Sequence, residues 1–286
     1  MSGPAAGATL YLLAHHDDEV FCAGRIWADL TAGRRVRLLW ATAGGLAPAG
    51  RRQSEGRRVA RLLGLSAGDA VSLGWPDQGA LDHLPQILEA AVWMLGEDSS
   101  AANNSAGGGD TAPADCICAP AYEGGHPDHD AMNLVAARLR ARRPELRAEE
   151  FALYRRKSCW LAVKVPWPRS AGSPAARFAS STPSERSEPR SESPPAAPLA
   201  SSLLRLPPAA RALRRRLMTA NASQLPTSLG PLAALARIQR TWATEPVREL
   251  PRHDYTQPPH DGRLLYESYA IRRFSDFAAA AAAFSE

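Results

Sequence analysis

The chain is nearly devoid of lysine: Lys157 and Lys164 are the only two among its 286 residues, so its positive charge rests on arginine. The formal net charge is +5, yet the arginines are spread over helix-like segments and a Pro/Ser-rich stretch. That spread reads as a solvated arginine-rich surface, and no nucleic-acid-binding motif accompanies it, so no nucleic-acid partner is expected. Cysteine is scarce too, with Cys22, Cys116, Cys118 and Cys159. Cys116 and Cys118 stand two apart in a short apolar run and face one side of a strand, which favours reduced core thiols over a disulfide framework. No apolar run reaches the roughly 18 residues of a membrane span, so no stable membrane insertion is expected. Met1 to Ala8 lacks the basic stretch and long apolar core of a secretory signal. From these features a cytoplasmic protein is expected. A Gly-x-Gly-x-x-Gly turn after an early strand is missing as well, which argues against a nucleotide-binding dehydrogenase. The triplet Gly107-Gly108-Gly109 lies instead in a stretch of small polar residues.

What is present is an alternation. Strand-like runs at Ala8–Ala14, Val36–Thr42, Ala70–Leu73 and Cys116–Pro120 are interleaved with helix-like segments. Those segments are Asp18–Ala32, Arg52–Gly64, Leu84–Leu95 and His129–Arg142. Such alternation predicts an α/β fold, a Rossmann-like and mostly parallel sheet with helices on both faces. Ligands in such folds gather at the carboxyl ends of the strands. Asp98–Ala114 reads as a mobile insertion, and Ser170–Ser202, crowded with Ser, Pro, Arg and Glu, as disordered. Phe151–Tyr154 and Trp160–Val165 read as strands extending the sheet, and Ala209–Gln224 and Leu232–Glu245 as helices. The organisation expected is a core over 1–168, an insertion over 169–202, and a C-terminal segment over 203–286 that packs on the core and closes toward the site.

Two clusters carry the chemistry, and both follow strands. One is Ala14-His15-His16-Asp17-Asp18-Glu19; the other is Tyr122-Glu123-Gly124-Gly125-His126-Pro127-Asp128-His129-Asp130. Four of the seven histidines fall in these two stretches, at the end of the sheet where ligands bind. His15 and Asp18, three apart at a strand-to-helix corner, suit one metal ion. A third ligand from His126 or His129 would complete the three-residue pattern of a catalytic zinc site. Asp17 and Asp18 are adjacent and point in different directions, so one can bind metal while the other accepts a proton.

The two clusters resemble those of the PIG-L or LmbE-like de-N-acetylases, which carry Ala-His-Pro-Asp-Asp-Glu after the first strand and His-x-Asp-His later. Here the motifs read Ala14-His15-His16-Asp17-Asp18-Glu19 and His126-Pro127-Asp128-His129, and His16 replaces the family's proline. The resemblance extends to Arg52-x-x-Glu55 and to Leu73-Gly74-Trp75-Pro76-Asp77, and covers roughly the first 165 residues. It implies one Zn2+ per chain, or Fe2+, held by His15, Asp18 and His129. It also implies Asp17 as general base, His126 facing the developing oxyanion or leaving amine, and Asp128 orienting His126. Arg52, Asp77, Tyr122 and His260 are further candidates for contacting substrate. The implied activity is hydrolysis of an N-acetyl or N-acyl group on a small-molecule amino sugar or conjugate. A metal-dependent phosphoesterase and a non-catalytic binding protein of the same fold are the alternatives. Which conjugate is bound, and the oligomeric state, are not encoded in these motifs.

Overall fold

The computed structural model describes residues 7–45, 48–96, 113–154, 202–224 and 244–285. The insertion expected at Asp98–Ala114 up to residue 112, the strand at Trp160–Val165, the Pro/Ser-rich stretch up to its last residue, and most of the helix at Leu232–Glu245 lie outside them; Ala114, expected to end the insertion, opens the fourth strand.

Within the described residues the elements run β1 (Ala8–Leu13), α1 (Ala23–Thr31), β2 (Arg35–Thr42), α2 (Ala49–Leu63), β3 (Ala70–Trp75), α3 (Leu84–Leu95), β4 (Ala114–Pro120) and α4 (Pro127–Arg142). They continue with β5 (Arg147–Phe151), β6 (Ser202–Arg205), α5 (Pro208–Ala220), β7 (Thr244–Glu249), the one-turn α6 (Leu265–Ser268) and α7 (Phe274–Ser285). One seven-stranded sheet has the order β3-β2-β1-β4-β5-β7-β6. Its first five strands are parallel; β7 runs antiparallel to β5, and β6 antiparallel to β7.

The central strand shows why the sheet is buried on both faces. All six residues of β1 are buried. Leu10 and Leu12 point into one apolar layer, where α3 and α4 supply Ile87, Leu88, Met132 and Val135. Tyr11 and Leu13 point into the other, with Ile26 of α1, Val59 of α2 and Leu217 of α5. Strands covered on both sides read as continuous apolar runs, as this one does. The chain builds β2 and β3 outward on one side of β1, then crosses to build β4 and β5 on the other. The reversal leaves a crevice at the carboxyl ends of β1 and β4, where open α/β sheets bind ligands.

Three boundaries differ from the sequence expectation. The helix expected from Asp18 begins only at Ala23, after a 3-10 turn at Asp18–Val20, because the acidic side chains there bond backbone amides. The strand expected at Phe151–Tyr154 is Arg147–Phe151. Its charged residues hide it from an apolar reading, since Glu149 pairs with Arg25 at 2.7 Å and Glu150 is buried against Arg248 and His253. Thr244 and Glu245, expected to end a helix, open β7 instead; Glu245 is buried and ion-paired with Arg214. Cys22, Cys116 and Cys118 are free thiols in the interior. Among the described residues no helix is long and apolar enough to cross a membrane.

Candidate active site

The chain leaves β1 through a tight turn built by its own carboxylates. Asp18 Oδ2 accepts from the amides of Ala14 and His15 at 2.8 and 2.9 Å, which leaves Oδ1 directed elsewhere. Asp17 adopts φ 131°, a left-handed conformation unusual outside glycine and costing of the order of 1–3 kcal/mol. Two contacts hold it there. Its amide donates to Glu19 Oε2 at 3.1 Å, and its carboxylate lies 3.3 Å from the guanidinium of Arg52.

Beyond β4, two glycines lead to α4. His126 caps that helix: its Nδ1 accepts from the amide of Asp128 at 3.2 Å. A neutral His126 therefore carries its proton on Nε2, which lies 3.8 Å from Asp77. Burial is the main reason its pKa falls to about 4. One turn on, His129 projects toward β1.

The two turns meet. His15 Nδ1 lies 3.1 Å from His129 Nε2, and His129 Nε2 lies 3.1 Å from Asp18 Oδ1. The third edge, His15 Nδ1 to Asp18 Oδ1, is 4.0 Å. Ligands on a tetrahedral zinc, with bonds of about 2.0–2.1 Å, stand about 3.3–3.4 Å apart. The three donors thus fit such an ion in identity and in spacing. The opposite edge of His15 supports this assignment. Its Nε2 faces Asp77 at 3.1 Å and Asp128 at 3.2 Å, so the proton sits there and Nδ1 keeps its lone pair for a cation.

Several expected roles shift. Asp128 was expected to orient His126, but its carboxylate stands 3.9 Å from His126 Nδ1. It bonds instead to His15 Nε2 and to the amides of Gln78 and Ala80, fixing the loop after β3. Asp77, expected among the sugar contacts, lies between His15 and His126. Arg52, another expected sugar contact, is buried with its guanidinium between Asp17 and Glu55, and Glu55 accepts from the amide and hydroxyl of Ser223. Tyr122 does not reach the cluster with its hydroxyl. It donates to the carbonyl of Gln257 at 2.8 Å, and its ring packs on His253, Tyr255 and Phe277, which makes it a loop anchor. His260 is exposed in its turn, with Nδ1 2.9 Å from the carbonyl of Asp261, and makes no contact with the cluster.

Other residues near the site were not singled out in the sequence. Glu19 is buried and accepts from Asp17, Trp40 and Asn221 at once. Tyr154 lays its ring 5.5 Å from that of His129, in space that any side chain at Gly125 would fill, since a β-carbon there would come within 2.0 Å. Only three-dimensional proximity identifies Asn221, Ser223 and Tyr154.

Comparison with known proteins agrees with this architecture. The A40926 pseudoaglycone deacetylase is 18% identical, with a TM-score of 0.53 over 87% of this chain and 100% of that one. A deacetylase of teicoplanin biosynthesis is 13% identical, with a TM-score of 0.53 over 85% and 98%. A conserved protein of Thermus thermophilus is 19% identical, with a TM-score of 0.52 over 89% and 99%. At these identities the shared property is the fold. No curated protein matches the chain in sequence. The family model described as PIG-L, GlcNAc-PI de-N-acetylase, matches residues 10–139, the stretch that holds both turns and every residue of the imidazole–carboxylate cluster. Over residues 10–139 the chain is therefore similar to the PIG-L family in sequence, and its fold is that of the deacetylases compared above.

Proposed function

We propose that the protein is a zinc-dependent hydrolase that removes an N-acetyl or N-acyl group from an amino sugar or its conjugate. The observation that carries this reading is the meeting of His15 Nδ1, Asp18 Oδ1 and His129 Nε2, with the carboxylate of Asp17 held beside them by Arg52. The PIG-L match over the same residues supports it, as does the likeness in fold to the A40926 pseudoaglycone deacetylase and to a deacetylase of teicoplanin biosynthesis.

Zinc bound by these three residues would supply Lewis acidity, lowering the pKa of water to about 7 and polarising an amide carbonyl. The remaining work falls to side chains. Asp17 accepts the proton of the attacking water. Burial pushes its carboxyl up to about 7, against the pull of Arg52, which suits a base working near neutral pH. Asp17 accepts as the ionised carboxylate, the form that a dication held by His15, Asp18 and His129 would favour. The Nε2–H of His126 faces the cluster as a donor for the carbonyl oxygen as it gains charge, and one such donor is typically worth about 3–4 kcal/mol. When the C–N bond breaks, the proton held by Asp17 passes to the departing amine, leaving acetate and a free amino sugar. Asp128 and Asp77 keep His15 oriented throughout.

The test is amine release from a panel of N-acetylglucosamine conjugates, with and without chelator, beside metal analysis. One zinc per chain, chelator-sensitive turnover, and an Asp17→Asn variant that keeps metal but loses about 10²–10⁴-fold in kcat are expected. Wild-type turnover in Asp17→Asn would remove the base assignment. Two metals per chain with phosphodiester cleavage would favour the phosphoesterase reading.

A further inference from the structure

Helix α5 ends at Asn221, whose backbone leaves the helical region, and a 3-10 turn follows at Ala222–Gln224. The end of the helix is tied to α2, because Arg58 donates to the carbonyl of Ala220 at 3.3 Å. Two residues of this short stretch reach opposite ends of Asp17, each by way of a carboxylate. Asn221 Nδ2 donates to Glu19 Oε1 at 2.5 Å, and the other oxygen of Glu19 accepts from the Asp17 amide and from Trp40. Ser223 bonds Glu55 through its amide and its hydroxyl. Glu55 holds Arg52 at 3.0 Å, and Arg52 faces the Asp17 carboxylate at 3.3 Å.

Both chains of bonds run through the interior, since Asn221, Glu19, Arg52 and Glu55 are all buried. Away from water such bonds strengthen one another, and a lost partner leaves a buried polar atom that no solvent repairs. Asp17 requires this rigidity, because its φ of 131° is a strained conformation that relaxes unless its surroundings hold it. Its amide is held from one side and its carboxylate from the other, so rotation at either end works against both chains. Both end on Asp17, whereas the zinc donors are His15 Nδ1, Asp18 Oδ1 and His129 Nε2.

We propose that Asn221 and Ser223 are positioning residues for the Asp17 base, together forming a two-point brace on its amide and its carboxylate. Asn221 sets the turn through Glu19, and Ser223 aims the carboxylate through Glu55 and Arg52. The kinetic role rests on the deacetylase reading, whereas the brace itself exists in the zinc-loaded protein without substrate. Because the brace acts on the base, weakening it lowers turnover while zinc and substrate stay bound. A reacting group displaced by about 1 Å can cost about 10²-fold in rate.

Asn221→Ala, Ser223→Ala, the double variant and Thr219→Ala, compared with wild type, test it. Thr219 is exposed on α5 with its hydroxyl on the carbonyl of Arg216, so its variant controls for a change in the helix itself. Hydrogen exchange at the Asp17 amide of the zinc-loaded protein, read by NMR, should quicken at least about tenfold in Asn221→Ala and in the double variant. In Thr219→Ala it should keep the wild-type rate. With an N-acetylglucosamine conjugate that the wild type cleaves, kcat should fall about three- to tenfold in each single variant and about 10²-fold in the double. KM should stay within about twofold and one zinc per chain should be retained. Wild-type exchange in the double variant, wild-type kcat in the double variant, zinc loss in step with kcat, or equal effects of Thr219→Ala would each overturn the proposal. If the wild type cleaves no N-acyl sugar, the deacetylase reading fails, and the exchange rates alone decide whether the brace exists.

Discussion

Replacing Arg52 with methionine separates two jobs that one guanidinium performs. Arg52 is 1% exposed, and its two terminal nitrogens reach Asp17 at 3.3 Å and Glu55 at 3.0 Å. Methionine keeps much of the volume but leaves the Glu55 carboxylate, itself 3% exposed, with only the exposed guanidinium of Arg51 3.9 Å away. Removing one partner of a buried ion pair usually costs about 3–5 kcal/mol. Glu55 retains the amide and hydroxyl of Ser223 at 2.9 and 2.6 Å, so the lower end, about 3 kcal/mol, is expected here. Glu55→Gln alone leaves Arg52 with Asp17 as its remaining carboxylate partner. The double variant removes both charges and should be more stable than the two single losses added together, by at least about 1 kcal/mol. Urea unfolding at matched metal content measures this as a shift in midpoint without change in slope. Catalysis gives a second readout, since Asp17 loses the contact that fixes its carboxylate, and kcat should fall more than KM rises. An Arg52→Met protein within about 0.5 kcal/mol of wild type, or strict additivity in the cycle, would refute the argument.

Further outcomes follow from the same geometry. His129→Ala and Asp18→Ala should each lose bound zinc by elemental analysis while keeping the far-ultraviolet spectrum; retained stoichiometric zinc in both would rule out the ligand assignment. Gly125→Ala places a methyl group 2.0 Å from the Tyr154 ring, so that ring must leave His129. Its cost should be about 1–3 kcal/mol by thermal melting, with a fall in kcat/KM, and unchanged kinetics would show that Tyr154 is idle. Burial acts to raise the pKa of Glu150, but His253 and Arg248 outweigh it and hold the carboxyl below its ordinary 4.5. The stabilisation is therefore complete above that value and is lost as pH falls through the lower folded pKa. Glu150→Gln should be less stable than wild type at neutral pH, with the gap narrowing below about pH 4; a gap independent of pH would contradict this.

The parts legible in the sequence are those governed by local pattern. Continuous apolar runs marked β1 and β2, Gly64 in a left-handed conformation closed α2 as its position suggested, and the spacing of histidines and acids marked both turns. Strand β5 was misplaced because Arg147, Glu149 and Glu150 look solvated until their partners Arg25, Arg248 and His253 are brought in from elsewhere in the chain. The same limit applies within the site. Arg52 and Asp77 were read as reaching toward a sugar, since nothing local shows that Asp17 and His15 already engage them. Nothing local shows that Glu19 also holds Asn221, which lies 202 positions downstream.

That last bond sets an order in time. Glu19 holds the amide of Asp17 with one oxygen and the side chain of Asn221 with the other, so a residue made late in synthesis braces a turn made near its beginning. A nascent chain halted before α5 has both histidine-bearing loops but not this brace. Contacts between residues so distant in sequence form late, after the entropy of closing the long intervening loop has been overcome. The brace therefore forms only after α5 is added, and chains that lack α5 should hold the Asp17 turn less firmly than the chain described here.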